Sequence, residues 1–269
     1  MSATAPRPNG APPGAVAAAR RYGEVVAPYL VLAAVWQLAA LAFPSYLFPP
    51  LDAVLARFFA IVTSAKQFTD VLATLWRILA GLAGAFLIGG VIAFVMAQSR
   101  TMDRFLAPIL TFFQGIPALS WVVFAIIWIH GIELRIFVIM VMTTLPAFTF
   151  QILGALRAIS KDLFEMVLSF RPTRWGRFRV MVLPSILPDI LTAWKVNLGN
   201  ASRVVVVAEL VGATGGIGYE LLQQQQLFDM TGALAWTLQL VFFVLLVQRL
   251  LAWIETHAFR YRAASEHSL

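Results

Sequence analysis

Long apolar runs, separated by short polar segments, extend along nearly the whole chain. A helix needs about 20 mostly apolar residues to cross a bilayer, and six runs reach that length. They are Val25–Phe43, Ile78–Ala97, Phe105–Ile129, Ile136–Leu156, Ile186–Val211 and Ala233–Ile254. The pattern therefore predicts an all-α, polytopic membrane protein with six transmembrane helices, and an even number of spans places both chain ends on the same side.

The segments outside these runs predict the domain organisation. Residues 1–24 are rich in Ala, Pro and Gly, and we expect a disordered tail because they bury too little apolar surface to offset the entropy of ordering. Residues 25–256 form the membrane domain, and residues 257–269 form a second tail. Leu51–Phe68 is too polar to span the bilayer, and its pattern is typical of an amphipathic helix at the outer surface.

The composition indicates a membrane protein that carries no catalytic or metal site of its own. The chain of 269 residues is 60% hydrophobic and 12% charged, whereas soluble domains carry about 25% charged residues. It contains no cysteine, which excludes disulfides, thiolate metal sites and cysteine catalysis. The three histidines are scattered, and neither a catalytic grouping nor a nucleotide-binding motif is present. We therefore predict no catalytic residue and no metal site.

The net charge of +7 indicates topology rather than nucleic-acid binding. With both chain ends in the cytoplasm, most of the 20 Lys and Arg residues fall in cytoplasmic segments, as the positive-inside rule requires. The largest group lies between Arg157 and Leu183, which we predict to be a cytoplasmic loop. Within it, an apolar stripe predicts a short amphipathic helix, ended by Pro172, that lies on the membrane or inserts into a partner. The stripe consists of Leu163, Phe164, Val167 and Leu168, with Glu165 off it.

Polar residues inside the apolar runs are the candidates for a solute pathway. Arg203 lies deep in the fifth run, with Asn200 one turn before it on the same face. A charge inside the membrane is expensive, so Arg203 faces the bundle interior or a water-filled path, or else forms a structural pair with an acidic group. Gln114 and Pro117 interrupt the third run, where a proline kink can open a cavity.

Three further features are assigned structural roles. Lys195 and Glu209 lie near the ends of the fifth run, where we expect a snorkelling side chain and a solvated one, respectively. Thr214–Gly218 lacks the context of a phosphate loop and is predicted to be a flexible outer turn, with solvated Gln223–Gln226 beside it. Small residues in the second run predict close packing within the chain, with a dimer interface as the alternative. They are Gly81, Gly84, Ala85, Gly89 and Gly90.

The basic loop and the stretches around it resemble a known family. Glu165 and the pair Leu183–Pro184 match the spacing of the cytoplasmic Glu-Ala-Ala motif of bacterial ABC importer permeases, in the nitrate/sulfonate/taurine-type group. Other similar stretches are Tyr46–Leu51, Gly115–Pro117 and parts of 187–218, so the resemblance covers about residues 28–255. The departures from the motif are Met166 and Val167 in place of the two alanines, Arg171 in place of glycine and Met181 in place of isoleucine.

The resemblance implies a type I ABC importer permease in the bacterial inner membrane, with both chain ends in the cytoplasm. The implied partners are two cytoplasmic ATP-binding subunits, a second permease copy, a periplasmic solute-binding protein and the lipid bilayer. No cofactor is expected in this chain, since ATP and Mg belong to the ATP-binding subunits. The implied ATPase-coupling residues are Leu163, Phe164, Glu165, Val167, Leu168, Arg171 and Arg174, and the candidate pathway residues are Asn200, Arg203, Gln114 and Pro117.

A gradient-driven carrier or channel without an ATPase partner is the alternative function. Its signature is a pair of acidic groups inside the spans, and the candidates are Asp189 and Glu209, both near span ends. A membrane enzyme is disfavoured because no catalytic set is clustered. For an importer, the cationic Arg203 favours a small anion such as nitrate, a sulfonate or a carboxylate.

Overall fold

The computed structural model describes residues 15–258, and within that range the regular structure is entirely helical. The predicted all-α class is therefore confirmed. A π-helical turn, Phe178–Val182, joins two of the helices without a break. The helices are α1 Ala15–Ala42, α2 Leu51–Thr63, α3 Ala65–Gln98, α4 Arg100–Gly115, α5 Ala118–Trp128, α6 Ile132–Arg157, α7 Lys161–Ser169, α8 Arg174–Arg177, α9 Leu183–Gly212, α10 Ile217–Gln226 and α11 Met230–Ala258.

Three of these helices, α3, α6 and α11, are long and apolar enough to cross a membrane alone. Two bent pairs are also apolar and long enough when each pair is taken as one span. They are α4 with α5, and the helix Arg174–Gly212 with α10. In α1, Val26–Ala42 is a shorter apolar stretch. The described part of the chain thus holds three to five candidate spans, against the six predicted from the apolar runs.

The third apolar run, predicted as one span over Phe105–Ile129, is instead two helices that meet at 94°. Proline lacks an N–H and disfavours helical backbone at the residue before it. Ile116, which precedes Pro117, is accordingly extended, with φ −76° and ψ 123°. The predicted continuous, kinked helix is therefore not formed, because the chain leaves the helical conformation completely at this residue, and the two helices make a candidate span only when they are taken together.

The loop predicted between Arg157 and Leu183 is mostly helical. The amphipathic helix forms as α7, but the chain returns to helix at Arg174 and continues to Gly212. The π-helical turn closes with the Leu183 N–H donating to the Phe178 carbonyl. This wider turn lies directly before Pro184, whose ring and missing N–H do not fit a regular helix. Only residues 158–160 and 170–173 of the predicted loop are non-helical.

Residues 15–24, which fall in the predicted disordered tail, belong to a helix, since α1 begins at Ala15. This part of the tail is rich in alanine, which has the highest helix propensity of all residues. The second predicted tail, 257–269, begins inside α11. Residues 1–14 and 259–269 lie outside the described residues.

The main apolar core lies where α3, α6 and α9 pack together. Glycines on α3 permit this close approach. A Cβ atom at Gly81 would lie 2.5 Å from Met140 Cβ, and one at Gly84 would lie 2.6 Å from Phe137 Cζ. The small residues therefore serve packing within the chain, as predicted. A second apolar cluster, around the buried Trp236 of α11, includes residues of α2, α3 and α10.

We expect Gly81→Ala to lower the melting temperature of the protein purified in detergent, because the added methyl group overlaps Met140. Overpacking of this kind costs about 1–3 kcal/mol. Gly90→Ala is the matched control, since its Cβ would meet only Ile152 Cδ1, at 3.8 Å. An unchanged melting temperature for Gly81→Ala would contradict the packing of α3 on α6.

Candidate functional site

One end of the bundle holds buried charges that were not predicted as a site. Glu209, near the end of α9, is fully buried. Its carboxylate accepts hydrogen bonds from Arg77 Nη1 at 2.7 Å, from Thr74 Oγ1 at 2.9 Å and from the Gly218 N–H at 2.8 Å. The expectation that Glu209 is solvated was wrong, because α3 and the first residues of α10 cover its side chain.

Arg77 also binds a second carboxylate. Its Nε and Nη2 atoms donate to the two oxygens of Glu133, in the first turn of α6, at 3.0 and 2.5 Å. The Glu133 side chain is 67% exposed, so one carboxylate of the group faces outward and the other is enclosed. We call Thr74, Arg77, Glu133 and Glu209 the Arg77 cluster. It links α3, the start of α6 and the end of α9 through one cation.

The Arg77 cluster also holds the glycine turn between α9 and α10. Gly216 has φ +114°, a conformation that favours glycine, and a Cβ atom there would lie 2.5 Å from Glu209 Oε1. The Gly216 N–H donates to Asp70 Oδ1 at 2.9 Å, and the Ile217 N–H donates to Thr74 Oγ1 at 2.8 Å. Side chains thus satisfy N–H groups that a helix start leaves without partners. The predicted turn is therefore present at residues 214–216, but these hydrogen bonds hold it in place, and residues 217–218 already belong to α10.

Two members of this cluster, Thr74 and Arg77, together with the neighbouring Asp70, have a signal in the sequence. Asp70, Thr74 and Arg77 are spaced by four and then three residues, so they share one face at the start of α3. This spacing identifies a polar face next to an apolar run. The partner Glu209 lies 132 residues further along the chain, and nothing local in the sequence connects the two.

We expect Glu209→Ala to destabilise the protein by about 3 kcal/mol, because it removes one member of a buried ion pair and leaves its donors unsatisfied. Glu133→Gln is the matched control. Its carboxylate is mostly exposed and solvent-screened, so we expect a loss below about 1 kcal/mol. Melting temperatures in detergent measure both effects, and equal losses would contradict the assignment of Glu209 as the enclosed partner.

The candidate pathway residues of α9 lie on an open face of the chain. Asn200 and Arg203 are both exposed, as is Val196 one turn earlier, whereas Ala201 and Val204 occupy the buried side. Arg203 therefore does not face the interior of this chain's own bundle, which was one of the placements expected for it. Among residues 26–257, whose side chains the structure describes, Arg203 forms no ion pair.

The other two pathway candidates, Gln114 and Pro117, are exposed at the break between α4 and α5. Within the described range, no hydrogen bond joins Gln114 to the polar residues of α9. Lys195, for which we expected only snorkelling, instead pairs with Glu255 and so ties α9 to α11.

α7 lies at the opposite end of α9 from the Arg77 cluster, and none of its residues is buried. The predicted stripe is divided. Leu163 and Val167 are half-buried against the chain, whereas Phe164 and Leu168 are exposed. The exposed apolar residues of this segment are Phe164, Met166, Leu168 and Phe170. α7 therefore offers an apolar surface that the rest of the described chain does not cover.

A match to a protein family agrees with this geometry. Residues 85–260 match the sequence model of the binding-protein-dependent transport system inner membrane component family. The chain belongs to this family. It is thus an ABC importer permease, as the motif around Glu165 indicated. Its apolar helices and its family together make it a multi-pass protein of the bacterial inner membrane.

Related permeases are named for several different solutes. The taurine transport system permease protein TauC of Escherichia coli is 28% identical over 193 residues, which cover 68% of this chain and 69% of TauC. The riboflavin transport system permease protein RibX of Chloroflexus aurantiacus is 27% identical over 203 residues, with 74% and 75% covered. The putative aliphatic sulfonates transport permease protein SsuC of Escherichia coli is 28% identical over 205 residues, with 72% and 76% covered. The nitrate/sulfonate/taurine-type assignment is confirmed.

Solved structures of ABC transporters share the permease fold. The methionine transporter MetNI in inward-facing conformations matches with a TM-score of 0.54 and 19% identity, over 71% of this chain and 97% of that chain. A bacterial alginate transporter, in complex with its pentasaccharide-bound periplasmic protein, matches with a TM-score of 0.62 and 14% identity, over 88% and 96%. At these identities the likeness establishes the fold, and the predicted permease architecture is confirmed.

The permease departs from its family motif at a residue with unusual backbone. Arg171, where the resemblance leads us to expect glycine, has φ +47°, and its N–H donates to the Leu168 carbonyl at 2.9 Å. A left-handed residue commonly ends a helix in this way and is usually glycine, because a side chain costs about 1–2 kcal/mol there. Glycine is therefore favoured for a backbone reason, and this permease carries strain at the end of α7. Glu165, Arg171 and Arg174 are all exposed.

Proposed function

We propose that this permease forms half of the solute pathway of an ATP-driven importer and that α7 docks into an ATP-binding subunit. The observation that carries the proposal is α7 itself, a helix with no buried residue and an open apolar surface. An amphipathic helix of this kind suits insertion into a groove on a partner. Leu163 and Val167 then hold α7 against its own chain, while Phe164, Glu165 and Leu168 contact the partner.

The proposed assembly contains two ATP-binding subunits, a second permease copy and a periplasmic solute-binding protein. A periplasmic protein is bound in the similar alginate transporter, which supports this set of partners. ATP and Mg are held by the ATP-binding subunits. Both chain ends and α7 lie in the cytoplasm, as the distribution of Lys and Arg favours, and the Arg77 cluster then lies near the periplasmic surface.

We propose that Asn200 and Arg203 line the pathway, where they meet the second permease copy across a water-filled space. Both residues are polar and exposed on a helix of an apolar protein, and such groups are expensive against lipid. A free guanidinium attracts anions, so the proposed solute is a small anion such as a sulfonate, a carboxylate or nitrate. Relatives named for taurine and aliphatic sulfonates support this class of solute. The relative named for riboflavin shows that similar permeases also serve larger solutes.

A gradient-driven carrier is less well supported by the geometry. Such a carrier needs acidic groups that are free to exchange an ion or a proton within the membrane. Glu209 is occupied by Arg77, Thr74 and a backbone N–H, and Asp189 is exposed at the α7 end of α9. The two acidic residues therefore do not form a pair.

We expect Glu165→Lys to lower ATP hydrolysis by the reconstituted complex at least about tenfold, and to reduce co-purification of the ATP-binding subunits. A tenfold loss corresponds to about 1.4 kcal/mol of lost stabilisation. Asp52→Lys is the matched charge reversal, since Asp52 is exposed on α2, away from α7. If both variants retain hydrolysis and co-purification equally, α7 is not the docking element.

The absence of cysteine in the natural chain allows a direct test of Arg203. We expect Arg203→Cys to react with a charged thiol reagent in the assembled complex, because the position faces water in the pathway. Leu245→Cys, at an exposed apolar position of α11, is the control that we expect to face lipid and not to react. We also expect Arg203→Ala to reduce uptake of taurine, methanesulfonate or nitrate into proteoliposomes more than Arg203→Lys does. Normal uptake by Arg203→Ala, together with no labelling at this position, would show a structural role.

A further inference from the structure

A large apolar groove lies between α3 and the start of the long helix that follows α7. Its volume is about 720 Å³, within the range of about 300–1,000 Å³ that is usual for ligand sites. Phe86, Gly90 and Phe94 form its α3 wall, Ile152 belongs to α6, and Trp175 and Ile186 lie on the opposite side. The groove does not involve any of the candidate pathway residues.

The π-helical turn shapes one wall of this groove. In a regular helix, Phe178 and Ile186 would point in directions roughly 80° apart. A π-helical turn adds one residue and removes roughly 100° of that rotation. Both side chains consequently line the same groove. The turn thus accommodates Pro184 and also brings Phe178 and Ile186 to the same side of the helix.

The mouth of the groove carries one cation and one aromatic side chain. Arg174 is the only charged residue of the lining, and its side chain is exposed without an ion pair in the described range. Trp175 is 69% exposed and stacks on Phe178 with a ring distance of 5.6 Å. Tryptophan is enriched where a membrane protein crosses the boundary between lipid and water. This end of the groove therefore lies at the level of the lipid headgroups.

We propose that the groove binds an anionic phospholipid of the leaflet on the α7 side. One acyl chain lies along Gly90 and Ile152, and the phosphate meets the guanidinium of Arg174. Basic pockets between membrane helices bind anionic headgroups through this charge complementarity. The groove opens roughly a quarter-turn around α9 from the face that carries Asn200 and Arg203, so it is directed to lipid rather than to the pathway. The family resemblance implied that Arg174 contacts an ATP-binding subunit. In this proposal, Arg174 instead contacts the phosphate of the lipid.

Native mass spectrometry of the complete, delipidated complex tests this proposal. The probes are phosphatidylglycerol and phosphatidylethanolamine with identical acyl chains, and we expect at least fivefold greater retention of phosphatidylglycerol. Arg174→Gln should remove this preference, whereas Arg179→Gln, an exposed arginine outside the groove, should preserve it. Equal loss in both variants would indicate nonspecific surface attraction and overturn the proposal.

The apolar part of the site has its own matched pair of variants. Gly90→Leu should fill the groove and reduce retention of both lipids, while Gly90→Ala has room for its methyl group and should bind as the natural chain does. Retention unchanged by Gly90→Leu, with the complex intact, would overturn the proposal. So would efficient crosslinking of Leu87→Cys, on the exposed groove rim, to another chain of the complex, because a protein segment would then occupy the groove.

Discussion

The buried ion pair between Arg77 and Glu209 fixes the geometry on which the rest of the bundle depends. Enclosed charges are tolerated only when they are paired and hydrogen-bonded. Glu209 obtains its donors from two residues of α3 and from the Gly218 N–H. A slip of α9 by one residue along α3, about 1.5 Å, would break these bonds together. The pair therefore sets the register between the two helices and holds the turn into α10.

The helix that ends at this pair begins beside the open segment at the other end of the protein. It extends without a break from Arg174 to Gly212, roughly 58 Å at 1.5 Å per residue. One end is fixed by enclosed hydrogen bonds, and the other adjoins α7, which has no buried residue. In the proposed importer, a displacement of α7 by an ATP-binding subunit reaches Asn200 and Arg203 along this one helix.

The membrane surroundings explain two exposed surfaces of this permease, one polar and one apolar. Asn200 and Arg203 are polar groups on an apolar protein, and they require water or another protein surface. The groove beside Trp175 is apolar with a cation at its mouth, which matches the two parts of a lipid. The proposed pathway and the proposed lipid site thus lie on different sides of α9, and each is matched to the medium that it faces.

The sequence by itself determined the helical class, the approximate position of most apolar helices, α7 and the family. These properties depend on composition and motifs within short stretches, as with the apolar stripe around Glu165. Only the tertiary structure decided that Glu209 is enclosed by Arg77, because its partner lies 132 residues away and is brought close by the packing of α3 against α9. The same holds for Arg203, whose exposure depends on which face of α9 the other helices cover. Local pattern gives the depth of a charge along a span, whereas its partner and its direction follow from how the helices are arranged around it.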